Sequence, residues 1–143
     1  MEGGSVIRKP QSYKDLEIYQ LAKKLAVEVH YMTIKELPKY EMYEEGGQIR
    51  RSAKSVASNI VEAFGRKIHK GEYIQFLTYA LSSCDETKGH LEILSETDSL
   101  RKERFDYFHA EYEKLGAKIY NFRESVINRF GKYELTCNMK PLT

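Results

Sequence analysis

The stretch Gln48-Ile49-Arg50-Arg51-Ser52-Ala53-Lys54-Ser55-Val56-Ala57-Ser58-Asn59-Ile60-Val61-Glu62-Ala63-Phe64-Gly65-Arg66 carries two patterns on one helical period. Ile49, Ala53, Val56, Ile60 and Ala63 recur at alternating steps of four and three, which sets them on one stripe of an α-helix and not on the alternating faces of a strand. At about 100° per residue, Gln48, Arg51, Ser55, Asn59, Glu62 and Arg66 share an arc of about 80° on the far side of the helix from that apolar stripe. Ser and Asn are poor helix formers beside the Lys, Glu and Gln that usually fill a wet face. Their cost predicts an offsetting hydrogen-bond network, interhelical or intersubunit, that specifies register more than it adds stability. Gly65 is placed to end this helix as a left-handed cap.

The same period extends to both sides of this helix. Before it, Ile18, Ala22, Leu25, Val29 and Met32 form the seam of a first helix starting near Ser12 or Asp15 and ending near Lys35, with Pro38 in the connection. After it, Tyr73, Phe76, Ala80, Cys84, Thr87, Leu91 and Leu94 define a third helix, weakened at Thr87 and Gly89. Beyond the break at Asp98-Ser99, Phe105, Phe108, Tyr112, Leu115, Ile119, Phe122 and Val126 form the most regular seam, ending near Phe130-Gly131. Seven-residue spacing and short connections predict an all-α fold, an antiparallel up-down-up-down four-helix bundle with left-handed packing. Its helices span 12–35, 42–64, 70–97 and 102–130 within a bundle of residues 12–131, between a flexible segment at 1–11 and a loose tail at 132–143. A long hairpin in a larger coiled coil is the alternative, and the three breaks disfavour it.

A chain of 143 residues is one domain. With 23 Lys and Arg against 21 Asp and Glu, the formal charge is +2, and the pI of 8.4 falls below the roughly 9 that marks a dedicated nucleic-acid domain. Any such role therefore rests on local clustering. Between Gln48 and Gly71 stand Arg50, Arg51, Lys54, Arg66, Lys67 and Lys70 against Glu62 alone, and from Asp85 to Asp98 the balance reverses, with Asp85, Glu86, Glu92, Glu96 and Asp98 against Lys88. Such poles suit phosphate binding, head-to-tail assembly, or both. Cys84 and Cys137 show no metal-ligand spacing and read as free thiols in a reducing compartment. The amino terminus lacks a signal-peptide run, and with a mean hydropathy of −0.59 there is no apolar run of membrane-spanning length. The expected location is the cytoplasm, with no membrane partner.

Enzymatic chemistry finds no support in these residues. A di-iron centre needs two Glu-x-x-His pairs, whereas the residues three before His30, His69, His90 and His109 are Val27, Arg66, Thr87 and Asp106. The serines have no nucleophile-elbow sequence, and Gly46-Gly47 has no Gly-Lys-Ser/Thr ending of a phosphate loop. No catalytic residue, metal or cofactor is expected, and the protein is expected not to be an enzyme.

The core Q-I-R-R-x-x-x-S-x-x-x-N-I-x-E, from Gln48 to Glu62, resembles the signature of the bacterial four-helix-bundle proteins encoded by intervening sequences in 23S ribosomal RNA genes. Asp15-Leu16 with Ala22, Leu37-Pro38 with Glu41, and Tyr73 to Leu81 match as well, so that the resemblance covers about residues 12 to 125. The family is distantly similar to the accessory protein of diversity-generating retroelements. The resemblance implies a homo-oligomer, ring-shaped and pentameric, with RNA or DNA or a nucleic-acid-processing protein as further partners and no enzymatic activity. In a ring the polar stripe acquires a job, since each bundle meets two neighbours through different surfaces. The phosphate contacts are then expected at Arg50, Arg51, Lys54, Arg66, Lys67 and Lys70. A pure protein-interaction scaffold is the competing reading. Ala63 stands where the family commonly has Gly, which puts in doubt any very close backbone approach there. Gly46-Gly47 replaces ordinary helix formers, which predicts a late start for the second helix.

Overall fold

The computed structural model describes residues 9–137, and side chains as far as Arg129. Four α-helices account for most of them: α1 (Glu17–Lys35), α2 (Glu45–Gly65), α3 (Lys70–Glu96) and α4 (Lys102–Cys137), with single 3-10 turns at Tyr13–Asp15 and Lys39–Glu41. Contacts between helices set the topology. Along α2 and α3, Glu45 meets His90, Ser52 meets Thr87 and Ser55 meets Ser83. Along α3 and α4, Thr78 meets Arg123, Lys88 meets Glu113 and Glu92 meets His109. Glu17 and Glu28 of α1, and Glu36 just after it, meet Lys118, Tyr107 and Arg104 of α4. In each pair the number rises on one helix as it falls on the other, so these neighbours are antiparallel. α2 packs most extensively against α3, and α1 least against α4.

The expected seams of α1 and α2 are buried at every position. On α3 the seam runs Tyr73, Leu77, Ala80, Cys84, Thr87, Leu91 and Leu94, so Leu77 occupies the core position expected of Phe76. Phe76 lies half-buried beside it, with the Arg66 guanidinium 4.6 Å over its ring. The aromatic ring is the more conspicuous apolar residue in sequence, but Leu77 keeps the regular step of four and three. Likewise Phe105 and Phe122 flank a fully buried row of Phe108, Tyr112, Leu115, Ile119 and Val126.

Several boundaries differ from the sequence expectation for physical reasons. Ser12 and Asp15 do not start α1 but close a separate turn, in which Ser12 Oγ accepts from the Lys14 N–H and the Asp15 carboxylate accepts from those of Gln11 and Ser12. Leu16 follows in extended backbone and drops into the core, and only then does α1 begin. α2 begins at Glu45, three residues after the expected 42, and takes in both Gly46 and Gly47. Gly46 is helical and lies so close to the first connection that a Cβ there would stand 2.5 Å from the Glu41 carbonyl oxygen, so the position requires glycine.

Gly65 is not a left-handed cap; α2 closes through tight bonds from Arg66 N–H to Ala63 O and from Lys67 N–H to Phe64 O. The left-handed residue is Asp98, with φ of 61°. There the Ser99 N–H returns to Leu94 O and the Asp98 N–H to Ser95 O, the paired bonds that terminate a helix in a Schellman turn. Finally, α4 continues to Cys137, so residues 132–137 are helical where a loose tail was expected; with no proline before Pro141, nothing in this stretch forces the helix to stop. The expected flexible segment at 1–11 falls within the described residues only at 9–11, which lie outside any helix.

The two helix connections at one end are tied together. Glu41, buried in the first, accepts from Ser99 Oγ of the third at 2.8 Å and from the Glu45 N–H at 3.3 Å. Cys84 is buried, and burial pushes its thiol up to about 12, which makes it a poor nucleophile. The side chain of Cys137 lies outside those described.

Tyr112 is fully buried with its hydroxyl unpartnered. Tyr112→Phe removes that unsatisfied group and is expected to leave stability unchanged or raise it by about 1 kcal/mol in urea unfolding. Ile60→Ala is expected to cost about 2–5 kcal/mol in the same measurement, since its side chain is wholly enclosed.

Candidate nucleic-acid interface

The polar stripe of α2 divides between two environments. Its inner edge is an interhelical network: Ser55 Oγ lies 2.8 Å from Ser83 Oγ on α3, and Asn59 Nδ2 donates to the Ser55 carbonyl and hydroxyl at 2.9 and 3.1 Å. Next to it, Thr87 Oγ1 donates to the Ser83 carbonyl and lies 2.8 Å from Ser52 Oγ. Thr87, which weakens the apolar seam in sequence, is thus the centre of this hydroxyl ladder. Ser52, Ser83 and Thr87 were not assigned to the stripe, although the small hydroxyls spaced four apart at 83 and 87 are the signal that marks them. The outer edge of the stripe is solvent-facing, with Gln48, Arg51 and Glu62 exposed.

The six basic residues adjacent in sequence are dispersed by the fold. Arg50 points back into the protein, where Nη1 donates to Thr33 Oγ1 at 2.8 Å and Nη2 to the Met42 carbonyl at 2.7 Å. It holds the first connection against α1 and α2, a structural role in place of the expected phosphate contact. Arg66 pairs with Glu62 and, at 2.9 Å, with Glu72 of α3. Lys67 lies 4.0 Å over the Phe64 ring at the far end of α2, and Lys70 is half-buried at the start of α3.

Arg51 and Lys54 remain exposed on the outer crest of α2, without an acidic partner among the described residues. Lys54 also borders a groove of about 590 Å³ between α1 and α2, whose walls include Tyr19, Lys23, Val27, His30 and Tyr31. Lys23 belongs to this basic surface although 31 positions separate it from Lys54 in sequence. Only the pairing of α1 with α2 brings the two together.

The acidic pole is partly neutralised within the bundle. Lys88 lies 3.4 Å from Asp85 and 3.1 Å from Glu113, and His90 sits between Glu45 at 2.7 Å and Glu86 at 3.4 Å. Among the described residues no three His, Cys, Asp or Glu side chains group as a metal site, and no helix is long and apolar enough to cross a membrane.

Residues 14–121 match the family described as 23S rRNA-intervening sequence protein, about three-quarters of the chain. The chain belongs to the 23S rRNA-intervening sequence protein family. Among solved structures it is similar to a protein of unknown function from the S23 ribosomal protein family of Bacteroides thetaiotaomicron, with a TM-score of 0.70 and 20% identity over 75% of this chain and 95% of that one. At that identity the likeness concerns the fold alone. No curated protein matches. The span shared with the intervening-sequence proteins takes in α1, α2 and α3 and ends within α4, just before Phe122.

Arg50 bonds a buried threonine and a backbone carbonyl, so Arg50→Gln is expected to cost about 1–3 kcal/mol of stability by chemical denaturation, with helical circular dichroism retained.

Proposed function

We propose that this intervening-sequence protein is a non-enzymatic homo-oligomeric bundle that binds structured RNA or DNA through the outer crest of α2. The observation that carries the reading is that Arg51 and Lys54 stand exposed without acidic partners, with Lys23 in the groove alongside. The one acid on that crest, Glu62, is turned to Arg66. Exposed cations of this kind attract a phosphate backbone and release its counterions. Phosphate contacts position a nucleic acid without reading its bases, so binding is expected to show no sequence preference.

Assembly is supported by apolar surface left exposed on α1, α3 and α4. Val27, Tyr31 and Ile34 form an exposed stripe on α1, while Tyr79 and Tyr120 are exposed on α3 and α4. Unlike exposed surfaces on different helices suit head-to-tail contacts, which close into a ring when the rotation allows. In such a ring a neighbour seated on the α1 stripe covers the Val27–Tyr31 wall of the groove, and Arg51 on the outer crest of α2 repeats from subunit to subunit. The same stripe would serve a protein-interaction scaffold, which is the second reading.

Binding of the purified protein to a 23S ribosomal RNA fragment and to a DNA duplex of matched length, followed across a salt titration, separates the two. Affinity is expected to fall with a slope of about −0.9 per phosphate neutralised on the duplex. Arg51→Glu with Lys54→Glu should weaken binding by about tenfold or more, whereas charge reversal at the already paired Arg66 should weaken it less. No binding at low salt by protein of verified assembly state would leave the scaffold as the function. Val27→Asp with Tyr31→Asp is expected to reduce the assembled mass towards the 16.7 kDa of one chain in light scattering.

A further inference from the structure

At the end of the bundle away from the Glu41–Ser99 contact lies a second concavity of about 410 Å³, enclosed on more sides than the α1–α2 groove. That volume falls in the range of small-molecule sites. Its apolar wall is made by Phe64, Tyr73 and Phe122, with Leu16 beside them. Tyr73 is buried and meets Phe122 edge-on, at 6.3 Å between ring centres, whereas Phe64 and Phe122 are only half-buried and keep ring surface open. Around this wall stand three cations, Lys9, Lys67 and Arg129, and no carboxylate lines the cavity among the described residues. Arg129 lines the cavity beside Tyr73, and Lys67 is held over the Phe64 ring.

Three like charges gathered at one apolar concavity repel each other with no acid to offset them, and a dianion offsets them better than a single carboxylate. Open aromatic faces beside the cations favour a flat ring attached to that anion over a flexible chain. We propose that this pocket binds a nucleobase carrying a terminal phosphate, with the base against Phe64 and Phe122 and the phosphate against Lys9, Lys67 and Arg129. Free nucleoside monophosphate and the phosphorylated end of a strand share this chemistry. Lys9, Phe122 and Arg129 lie outside the family-matched residues 14–121. None of its residues belongs to the Arg51–Lys54 crest, and the inference stands apart from the nucleic-acid reading.

Calorimetric titration of the full chain with adenosine 5′-monophosphate, adenosine and inorganic phosphate tests it. The monophosphate is expected to bind at least about tenfold more tightly than adenosine or phosphate alone. Lys67→Gln and Arg129→Gln should each weaken the monophosphate about tenfold and leave adenosine unchanged, with helical content intact, and Lys114→Gln on another face should change neither. A monophosphate that binds no better than adenosine, or that is insensitive to both pocket variants, overturns the proposal. A hexa-adenylate with a 5′-phosphate, compared with its 5′-hydroxyl form, identifies the source. A phosphorylated strand that outcompetes the mononucleotide assigns the pocket to strand ends, and equal affinity assigns it to free nucleotide.

Discussion

Small side chains line the contact between α2 and α3, the most extensive of the helix pairs, and the remaining packing is arranged around it. Ala53 on α2 and Ala80 on α3 are fully buried, and the hydroxyls of Ser52, Ser55, Ser83 and Thr87 bond across the line where the two helices meet. A buried hydroxyl without a partner would cost stability, so each of these bonds also sets the register of one helix against the other. The larger residues Leu25, Ile49, Leu77, Leu91, Tyr112 and Ile119 fill the space that remains on the inner side. α1 and α4, held mainly by ion pairs and the Tyr107–Glu28 hydrogen bond at their outer edge, have the least contact of the neighbouring helix pairs.

The connections follow from the same packing. With α2 drawn against its neighbours, Gly46 passes beneath the Glu41 carbonyl, Glu41 reaches Ser99, and Arg50 turns inward to Thr33 and Met42. A charged side chain taken out of solvent in this way needs its hydrogen-bonding groups met, and the backbone carbonyl and hydroxyls meet them. The consequence for function is a division of labour among neighbours in sequence. Arg50 supports the fold, Arg66 joins α2 to α3, and Arg51 and Lys54 are left outward, available to a partner.

Charge clustering in sequence is therefore an incomplete guide to a binding surface. Adjacent residues on a helix point about 100° apart, so a run of basic residues is distributed around the axis and cannot act as one patch. The surfaces that do form are assembled from distant segments, Lys23 with Lys54 along the side of the bundle and Lys9 with Lys67 and Arg129 at its end.

The sequence by itself determined the helical class, the number of helices, and the buried rows of α1, α2 and most of α4, because the alternating three- and four-residue period depends only on helix geometry. It also carried the family, in the Gln48–Glu62 motif. Only the tertiary structure decided that Leu77 enters the core ahead of Phe76, that Gly46 is a close-approach residue and Gly65 an ordinary helix end, and that Asp98 takes the left-handed position. It alone decided which cations are spent internally and which face outward. The physical reason is that periodicity assigns a residue to a face of its own helix, whereas these outcomes depend on what another helix places opposite that face.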